Sequence, residues 1–379
     1  MNFDLSDEQT QLRDLLQRFV QKDYGFDARR AILRSDSGWS AEVWQQFAEL
    51  GVLALTLPED HGGLGGTAVD TLVVMETFGR GLVVEPYLST VVLGAGLIAD
   101  GGSAAQRAEL LPAIAAGELR LALAHFESGA RYALAQVETR ARKSGKGYTL
   151  DGHKTVVLHG AAAGMLIVSA RTRGKAGDAA GLSLFLVPRD APGVKIHSYL
   201  THDGHRAAEI RLDGVQVPAG ALIGKAGAGL PLVERALERG IAALCAEAVG
   251  AMTRLIEMTL DYIKQRKQFG VPIGSFQVLQ HRMADMLIHA EQARSMAYLA
   301  AVKLHADDAD ERRRVIAAAK TLVGEAARFV GQQAVQLHGG IGVMDELAVS
   351  HYFKRLTLIN AAFGDADHHL GRYSELMAA

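Results

Sequence analysis

The spacing of hydrophobic residues along the chain changes twice. Up to about residue 118, apolar side chains recur three and four positions apart, as in the run Leu12–Phe19, which is the spacing of one face of an α-helix. Ser6, with Gln9 three residues later, has the spacing of a capping box that begins the first helix. Ser103 likewise begins the last helix of this region. The pattern predicts an N-terminal helical domain over residues 1–118.

From residue 119 to 228 the apolar runs are short and rich in β-branched and aromatic residues. Pairs such as Asp151-Gly152 and Pro192-Gly193 separate these runs as turns. The basic run 140–146 falls at one such turn, where we expect solvated charges. Short strands at this spacing predict a central antiparallel β domain. The predicted strands are Leu121–Phe126, Tyr148–Leu150, Val156–Leu158, Met165–Ala170, Leu182–Val187, Val194–Tyr199 and Ala208–Leu212.

Long helical patterns return from residue 229 to the end of the chain. A broad apolar stripe runs along Phe276–Ala293, and a further helix, from about Glu311 to Leu337, is rich in alanine. Long helices with many alanines pack closely as a bundle. The predicted fold class is therefore α+β, with an N-terminal helical domain, a central antiparallel β domain and a C-terminal four-helix bundle over residues 229–379 that also serves oligomerisation.

Composition narrows the classes of function. Of the 379 residues 49% are hydrophobic, and the formal net charge of -2 gives no electrostatic basis for binding nucleic acid. No apolar run reaches the roughly 18 residues that span a bilayer, and the acidic start, residues 1–8, lacks the basic-then-apolar order of a signal peptide. The single cysteine, Cys245, excludes an internal disulfide and a cysteine metal cage. We expect a cytoplasmic protein without membrane insertion.

Several common catalytic motifs are missing from the sequence. It contains no P-loop, no strand–GxGxxG–helix unit, no Gly-x-Ser-x-Gly elbow and no His-Glu-x-x-His. The glycine-rich loop 58–66 has no strand before it, which favours a structural turn. Two clusters of histidine and aspartate, 202–205 and 365–369, have no second cluster with which to share a metal. We expect surface loops or helix caps there, and no metal site.

Two segments at predicted helix ends carry the candidate chemistry. Arg266–Gly270 (RKQFG) closes one long helix and Gln336–Gly342 (QLHGGIG) closes another. Each segment places glycine and donor-bearing side chains where a backbone can approach a charged ligand. On this reasoning they are the two halves of a cradle for a nucleotide cofactor.

Further motifs lie in register with these two segments. They are Gly62–Gly65 (GGLG), Tyr148–Lys154 (YTLDGHK) and Ile273–Gln277 (IGSFQ). Together with the order of the three domains, the motifs resemble the acyl-CoA dehydrogenase family of flavoproteins over essentially the whole chain, and among its members the small subunit of pimeloyl-CoA-type dehydrogenases. The resemblance implies FAD-dependent α,β-dehydrogenation of an acyl-CoA thioester. It also implies an electron-transfer flavoprotein as electron acceptor and a homo- or hetero-oligomer, either a dimer or a tetramer.

The resemblance assigns roles to individual residues. FAD would lie between the β domain and the bundle, and a neighbouring subunit would complete its site. Arg266 would offer a fork of donors to the FAD pyrophosphate, and Phe269 would pack beside the cofactor. In the family these positions reach the flavin of the neighbour. The other residues implied to contact that cofactor, by hydrogen bonds or close backbone approach, are Gln277, Gln336, Gly339 and Gly340.

The sequence departs from the family at the catalytic base. In the family a carboxylate removes the α-proton while flavin N5 accepts the β-hydride. Counted without a gap from Arg355–Ile359, the position of that Glu falls on Ala361, and the alternative family position falls on Gly240. Neither residue can be a base. The candidates are then Asp365, one helical turn past Ala361, and Glu247, about two turns past Gly240; for Asp365 an N-cap of the last helix is the alternative role.

The β domain departs from the family as well. Glu127 and Gly129 match the acidic, glycine-rich flavin segment, but Phe126 and Tyr132 stand where hydroxyl donors are expected. The run Val156–Leu158 replaces the aromatic-then-hydroxyl strand that touches the isoalloxazine. The half of the site that binds a subunit's own flavin is therefore eroded, while the half offered to a neighbour is intact.

Three interpretations follow. In the first, the chain is the partner subunit of a heteromeric acyl-CoA dehydrogenase whose base lies on a larger subunit. In the second, it is a self-sufficient homodimer or homotetramer that uses Asp365 or Glu247. In the third, it is an acyl-CoA-binding or structural partner subunit without redox activity of its own. The acyl group stays open among dicarboxylyl, aromatic and steroid side-chain thioesters.

Overall fold

The computed structural model describes residues 4–378. Residues 1–3 and 379, which belong to the predicted acidic start and to the outer ends of the first and last predicted domains, lie outside the described residues. The chain divides into two compact units. The helical unit comprises the residues up to Ala31, Ala68–Val83 and the residues from Ile241 onward, and the sheet unit comprises Ile32–Thr67 and Val84–Gly240.

Eleven α-helices lie within residues 4–378. They are α1 (Asp7–Lys22), α2 (Phe26–Arg34), α3 (Ala41–Glu49), α4 (Ala68–Gly81), α5 (Gly96–Gly101), α6 (Ala104–Ala115), α7 (Leu230–Gln265), α8 (Gln277–Lys303), α9 (Ala309–His338), α10 (Ala348–Ala361) and α11 (Ala366–Ala378). A π-helical segment, Leu88–Ala95, precedes α5. In the described part of the chain, none of the helices has both the length and the apolar character that crossing a membrane needs.

The predicted helix starts at Ser6 and Ser103 are confirmed. Ser6 forms a capping box with Gln9 at the start of α1, and Ser103 forms one with Gln106 at the start of α6. In each box the serine accepts from a backbone N–H and the glutamine accepts from the serine N–H, so two donors that lack a partner inside the helix are satisfied.

Eight strands of the sheet unit form one sheet. They are β1 (Leu121–Ala124), β2 (Arg140–Ser144), β3 (Gly147–Leu158), β4 (Met165–Arg171), β5 (Leu182–Pro188), β6 (Val194–Leu200), β7 (Arg206–Pro218) and β8 (Leu222–Ile223). The strand order is β6-β7-β3-β2-β4-β5-β8, with β1 beside β4. The pairings of β1 and of β2 with β4 are parallel, and the others are antiparallel. The strands β1, β4 and β5 are buried almost throughout, which is why their sequences are mostly apolar rather than alternating.

Two details of the strand prediction were wrong. β3 is one continuous strand where the sequence predicts two, and the pair Asp151-Gly152, interpreted as a turn, lies inside it. The register with β7 shifts between Leu150 and Gly152 and again between Lys154 and Val157, because β-bulges accommodate such residues without ending a strand. The basic run also contains a strand, β2, which pairs with β3 around the turn 145–146. Only Ala141 of β2 is buried, so β2 lacks a hydrophobic signal.

Two helices of the helical unit cross at very close range. A methyl group at Gly79 of α4 would overlap the carbonyl oxygen of Glu247 on α7, and one at Gly250 of α7 would overlap that of Glu76 on α4. Only glycine permits backbones to approach this closely. The crossing therefore depends on a glycine from each helix.

The predicted apolar stripe along α8 is only partly buried. Met283, Met286 and Ala290 pack inside the helical unit, whereas Phe276 and Leu287 are exposed. The stripe is broader than the face that α8 packs within the chain, because residues on both sides of a helix face share the same spacing. Two further short strands, β9 (Lys267–Gln268) and β10 (Val271–Pro272), connect α7 to α8.

Candidate functional site

The segment Arg266–Gly270 forms a hairpin at the end of α7. The N–H of Arg266 donates to the carbonyl of Tyr262 at 2.8 Å, and the N–H of Ile273 donates to the carbonyl of Arg266 at 2.8 Å. Strands β9 and β10 pair between these two bonds. The hairpin therefore fixes the backbone of Arg266, while its side chain is exposed.

Phe269 lies at the tip of this hairpin and is 93% exposed. Its φ is 51°, and Gly270 follows at 83°. A positive φ is unfavourable for a residue with a side chain and persists only where the surrounding structure imposes it. The ring of Phe269 packs edge-on against that of Phe276, with the ring centroids 6.4 Å apart. The exposed Gln277 begins α8 directly after Phe276. Arg266, Phe269 and Gln277 thus lie in one exposed stretch of the helical unit.

The segment Gln336–Gly342 covers the end of α9 and the turn after it. Gln336 is exposed in the last turn of the helix, and its carbonyl accepts from the N–H of Gly339. Gly339 has φ 64° and ψ -149°, a conformation open essentially to glycine alone. Gly339 and Gly340 are exposed, and no atom beyond their chain neighbours lies within 4 Å of where a Cβ would stand. At Gly339 and Gly340 the surface of this turn is bare backbone, which permits close contact with a ligand.

Glu127 is occupied by contacts within the sheet unit. Its carboxylate accepts from the N–H groups of Glu138 and Thr139 at 2.6 and 3.1 Å, and from Thr139 Oγ1 and Lys154 Nζ at 2.6 Å each. Burial acts to raise the pKa of Glu127, but the charge of Lys154 and these donors outweigh it and the pKa is lowered. Burial lowers the pKa of Lys154 to about 8. Glu127 is therefore a charged acceptor that closes the loop before β2, and the nearby Gly129 lies exposed in a turn with φ 84°.

Strand β3, whose end the resemblance implies would touch the flavin, has an unusual backbone. Val156 lies in the second bulge of β3 with φ 51° and is 52% exposed. A β-branched residue at positive φ is a genuine outlier, and such outliers cluster at ligand sites. Val156 offers neither an aromatic ring nor a hydrogen-bond donor on its side chain.

Glu247, one of the two predicted bases, forms a buried ion pair. Arg355 Nε donates to Glu247 Oε1 at 2.6 Å, and Arg355 Nη2 donates to Oε2 at 2.7 Å. Glu247 is 3% exposed and lies on α7, while Arg355 lies on α10. Both oxygens of the Glu247 carboxylate are therefore engaged by one guanidinium. As a base, Glu247 would have to accept a substrate proton while it is paired with Arg355.

Asp365, the other predicted base, caps a helix. Its Oδ1 accepts from the N–H of His368 at 2.9 Å, and its carbonyl accepts from the N–H of His369 at 3.0 Å. It therefore satisfies the first turn of α11, the alternative that the sequence left open. Ala361 is the exposed last residue of α10, and Gly240 is buried within α7. Neither family position for the base carries a carboxylate.

A buried lysine holds the turn between α10 and α11. Lys320 of α9 is 1% exposed, and its Nζ donates to the carbonyls of Ile359, Asn360 and Gly364 at 2.7, 2.7 and 2.9 Å. Burial lowers the pKa of this amine to about 8. The charge faces the carbonyl end of α10, where a cation is favoured. Lys320 thereby fixes the segment that contains Ala361.

Sequence reasoning missed three residues that organise these sites. Arg355, Lys154 and Lys320 each neutralise or anchor groups far away in the chain, and only Lys320, a charge directly after the apolar run 315–319, gave a local signal. A lone lysine on the alanine-rich face of a helix needs acceptors when that face is buried. The acceptors themselves cannot be identified from spacing.

Comparisons with known proteins extend over the whole chain. Sequence models of the acyl-CoA dehydrogenase N-terminal, middle and C-terminal domains match residues 6–118, 122–215 and 227–376. The probable acyl-CoA dehydrogenase YngJ of Bacillus subtilis is 31% identical over 374 residues, which are 97% of each chain. Among solved structures, a variant of the Tcur3481-Tcur3483 steroid ACAD is 31% identical with a TM-score of 0.88 and 98% of both chains covered. The ChsE4-ChsE5 complex from Mycobacterium tuberculosis is 27% identical with a TM-score of 0.90, and 100% of this chain and 99% of that chain are covered.

These matches confirm the predicted fold class and the predicted type of reaction. An N-terminal helical domain, a middle β domain and a C-terminal helical domain are present in the order that the sequence predicts. The chain belongs to the acyl-CoA dehydrogenase family, the flavin-dependent oxidoreductases that act on a CH–CH bond of acyl-CoA thioesters.

Proposed function

We propose that this chain is the partner subunit of a heteromeric acyl-CoA dehydrogenase, and that it completes the FAD site of a neighbouring subunit which supplies the catalytic base. One contrast carries the proposal. The side chains implied to reach a neighbour's cofactor are exposed, whereas Glu127, Glu247 and Asp365, the carboxylates implied to serve this chain's own site, are each engaged in other contacts.

The exposed half fits FAD chemically. Arg266 carries a fork of donors that suits a pyrophosphate, and it lies on a hairpin whose backbone is fixed. Gly339 and Gly340 leave room for an adenosine to approach the backbone. When bound, FAD supplies the acceptor for the hydride that leaves the β-carbon. The residues of this chain would bind and orient the cofactor. Arg266 and Gln336 would donate hydrogen bonds to it, and Phe269 would exclude water beside it.

The half that would hold the chain's own flavin fits less well. Phe126 stands where a hydroxyl donor is expected, and Tyr132 offers a phenol at the other such position. Val156 and Leu158 stand in place of the aromatic and hydroxyl side chains expected on β3. The carboxylate of Glu127 already accepts hydrogen bonds from Thr139, Lys154 and the backbone N–H of Glu138. A flavin placed there would find no hydrogen-bond donor on the side chains of Phe126, Val156 and Leu158.

Proton removal is assigned to the neighbouring subunit. Ala361 and Gly240 carry no acid–base group, Glu247 is neutralised by Arg355, and Asp365 caps α11. Two of the similar solved structures are named as pairs of proteins, Tcur3481-Tcur3483 and the ChsE4-ChsE5 complex. This supports a heteromeric assembly, and we propose a dimer or tetramer.

Three further assignments belong to this proposal. The chain divides into domains at 1–118, 119–228 and 229–379, which the three family matches support. An electron-transfer flavoprotein reoxidises the flavin, as the family implies. The word steroid in the name of one similar structure makes a steroid side-chain CoA thioester the first substrate to test, ahead of dicarboxylyl and aromatic thioesters.

The test compares the chain alone with the chain co-purified with its neighbour. We expect little FAD from the chain alone, and one FAD for each pair of subunits in the complex. We expect an acyl-CoA to bleach the flavin absorbance only in the complex. Full flavin occupancy and bleaching by the chain alone would refute the proposal in favour of a self-sufficient homo-oligomer. A chain that stays colourless beside every partner would indicate a binding subunit without redox chemistry.

A matched pair of variants tests the role of Arg266. In the complex, Arg266→Ala should weaken FAD binding about tenfold or more, because a bidentate, charge-assisted contact to the pyrophosphate is lost. Lys264→Ala removes an exposed positive charge from the last turn of α7, two residues away. It should leave FAD binding unchanged. Equal effects of the two substitutions would point to general electrostatics rather than to a specific contact.

A further inference from the structure

Tyr262 links the two segments that carry the cofactor residues. It lies on α7 four residues before Arg266, and its carbonyl accepts from the Arg266 N–H at 2.8 Å. Its ring stacks on that of His338, at the end of α9, with the centroids 4.4 Å apart and the planes 21° apart. The Tyr262 hydroxyl also donates to the carbonyl of His338 at 3.4 Å. One side chain therefore contacts the last residue before Gly339 and belongs to the turn of helix that leads into the Arg266 hairpin.

His338 is held in place from a second direction. It is 6% exposed, and its Nδ1 lies 2.8 Å from the carbonyl of Ala334, to which it donates. Burial lowers the pKa of His338, against the opposing effect of this hydrogen bond. The ring is therefore neutral near pH 7, with its proton on Nδ1. A neutral ring stacks on Tyr262 without the cost of burying a charge.

The turn after α9 folds back onto His338. A Cβ at Gly342 would lie 2.8 Å from the carbonyl oxygen of Val335 and 3.0 Å from His338 Cβ. Contacts at these distances leave no room for a side chain, so the turn 339–343 rests directly on the last turn of α9. Tyr262, His338 and Gly342 form one continuous series of contacts from α7 to the exposed glycines.

We propose that Tyr262 is a positioning residue which, by stacking on His338, locks the Arg266 hairpin and the Gly339–Gly340 turn into one preformed surface, and thereby sets how tightly the assembled enzyme holds FAD. The inference rests on the proposed function, in which these two segments bind the neighbour's cofactor. Two segments that are already fixed relative to each other lose less conformational freedom when a single ligand spans them. Neither Tyr262 nor His338 needs to touch FAD for this effect.

The main experiment measures the FAD dissociation constant of the assembled enzyme by the recovery of free-FAD fluorescence on dilution. Tyr262→Ala should weaken FAD binding about three- to tenfold, the effect of losing one aromatic stack. Tyr262→Phe keeps the ring and should bind FAD within about twofold of the unaltered enzyme. Turnover at saturating FAD should be equal in all three proteins, because the stack acts on cofactor binding and not on the reaction.

A second residue and a second variant guard against an effect of misfolding. Tyr262→Leu fills much of the same volume without a stacking ring and should weaken FAD binding as Tyr262→Ala does. His338→Leu should do the same, and combining it with Tyr262→Leu should add little, because either change alone breaks the same contact. Lys264→Ala, in the same turn of α7, is the control. Additive effects of Tyr262→Leu and His338→Leu would overturn the inference.

The outcomes separate this inference from the function on which it rests. If Arg266→Ala weakens FAD binding while Tyr262→Ala and Tyr262→Leu do not, the positioning role is overturned and the proposed function stands. If none of the three substitutions changes FAD binding, both are overturned. If Tyr262→Leu lowers turnover at saturating FAD, the residue acts on the reaction itself and the inference is again overturned.

Discussion

The ion pair of Glu247 and Arg355 decides whether Glu247 can serve as a base. Glu247→Gln preserves the shape of the side chain but removes the negative charge that pairs with the largely buried guanidinium of Arg355. The two contacts are 2.6 and 2.7 Å long, and Glu247 is 3% exposed. Removing one partner of a buried pair costs about 3–5 kcal/mol. Because glutamine still accepts one hydrogen bond from Arg355, we expect a loss near the lower end, about 3 kcal/mol of the free energy of unfolding.

The assay is urea denaturation followed by helical circular dichroism, with three companion variants. Arg355→Met should lower the free energy of unfolding by a comparable amount, because it removes the guanidinium that pairs with the buried carboxylate of Glu247. The double variant Glu247→Leu with Arg355→Met should recover most of the loss, because two apolar side chains of similar volume replace the pair. Glu325→Gln, the same change at an exposed position of α9, should shift the free energy of unfolding by less than about 0.5 kcal/mol.

The same variant separates stability from catalysis. If Glu247→Gln unfolds at the same urea concentration as the unaltered protein and yet abolishes flavin bleaching, the reasoning fails and Glu247 is the base. If stability falls as expected and the assembled enzyme still bleaches at a temperature where the variant is folded, Glu247 is structural and the base lies elsewhere.

Three further predictions concern stability. For Lys320 the folded pKa, about 8, lies below the ordinary 10.5, so the unfolded chain binds more protons between these values. Stability should rise across pH 8 to 10.5 by about 3 kcal/mol, and urea titrations of Lys320→Met should lack this rise. Asp365→Ala removes the cap of α11 and should lower the free energy of unfolding by about 1 kcal/mol. Asp365→Asn keeps an oxygen that can cap the helix and should lose far less. Equal losses would show that the charge matters rather than the cap. Gly250→Ala forces α4 and α7 apart and should lower the free energy of unfolding by about 1–3 kcal/mol. Thermal unfolding measures this, and an unchanged melting temperature would contradict the close crossing.

Local chemistry explains what could be predicted of the fold. The capping boxes at Ser6 and Ser103 and the hairpin turn at 145–146 are formed by residues within a few positions of each other, so spacing alone reveals them. The continuity of β3 is different, because its pairing with β7 carries the strand through Asp151-Gly152. Tertiary pairing there overrides a local turn preference.

The candidate site shows the same contrast between features set by neighbouring residues and features set by contacts far apart in the sequence. The exposure of Phe269 follows from a hairpin whose turn residues are adjacent in the sequence. The neutralisation of Glu247 does not, because Arg355 lies 108 residues away on another helix. Likewise, the engagement of Glu127 by Lys154 spans 27 residues and one bulged strand. Which carboxylate is available for chemistry is therefore a property of the packed fold and not of a motif.

The exposed hairpin also has a consequence for the amount of this protein that a cell can accumulate. Phe269 directs nearly its whole ring to water, and the apolar side chains exposed nearby in the sequence are Val271, Phe276 and Val278. Exposed apolar side chains of this kind favour self-association when nothing covers them. In the proposed heteromer, copies made in excess of the subunit that covers these side chains would be open to aggregation or proteolysis. Under the proposed function, balanced synthesis of the two subunits would follow from four exposed apolar side chains between residues 269 and 278.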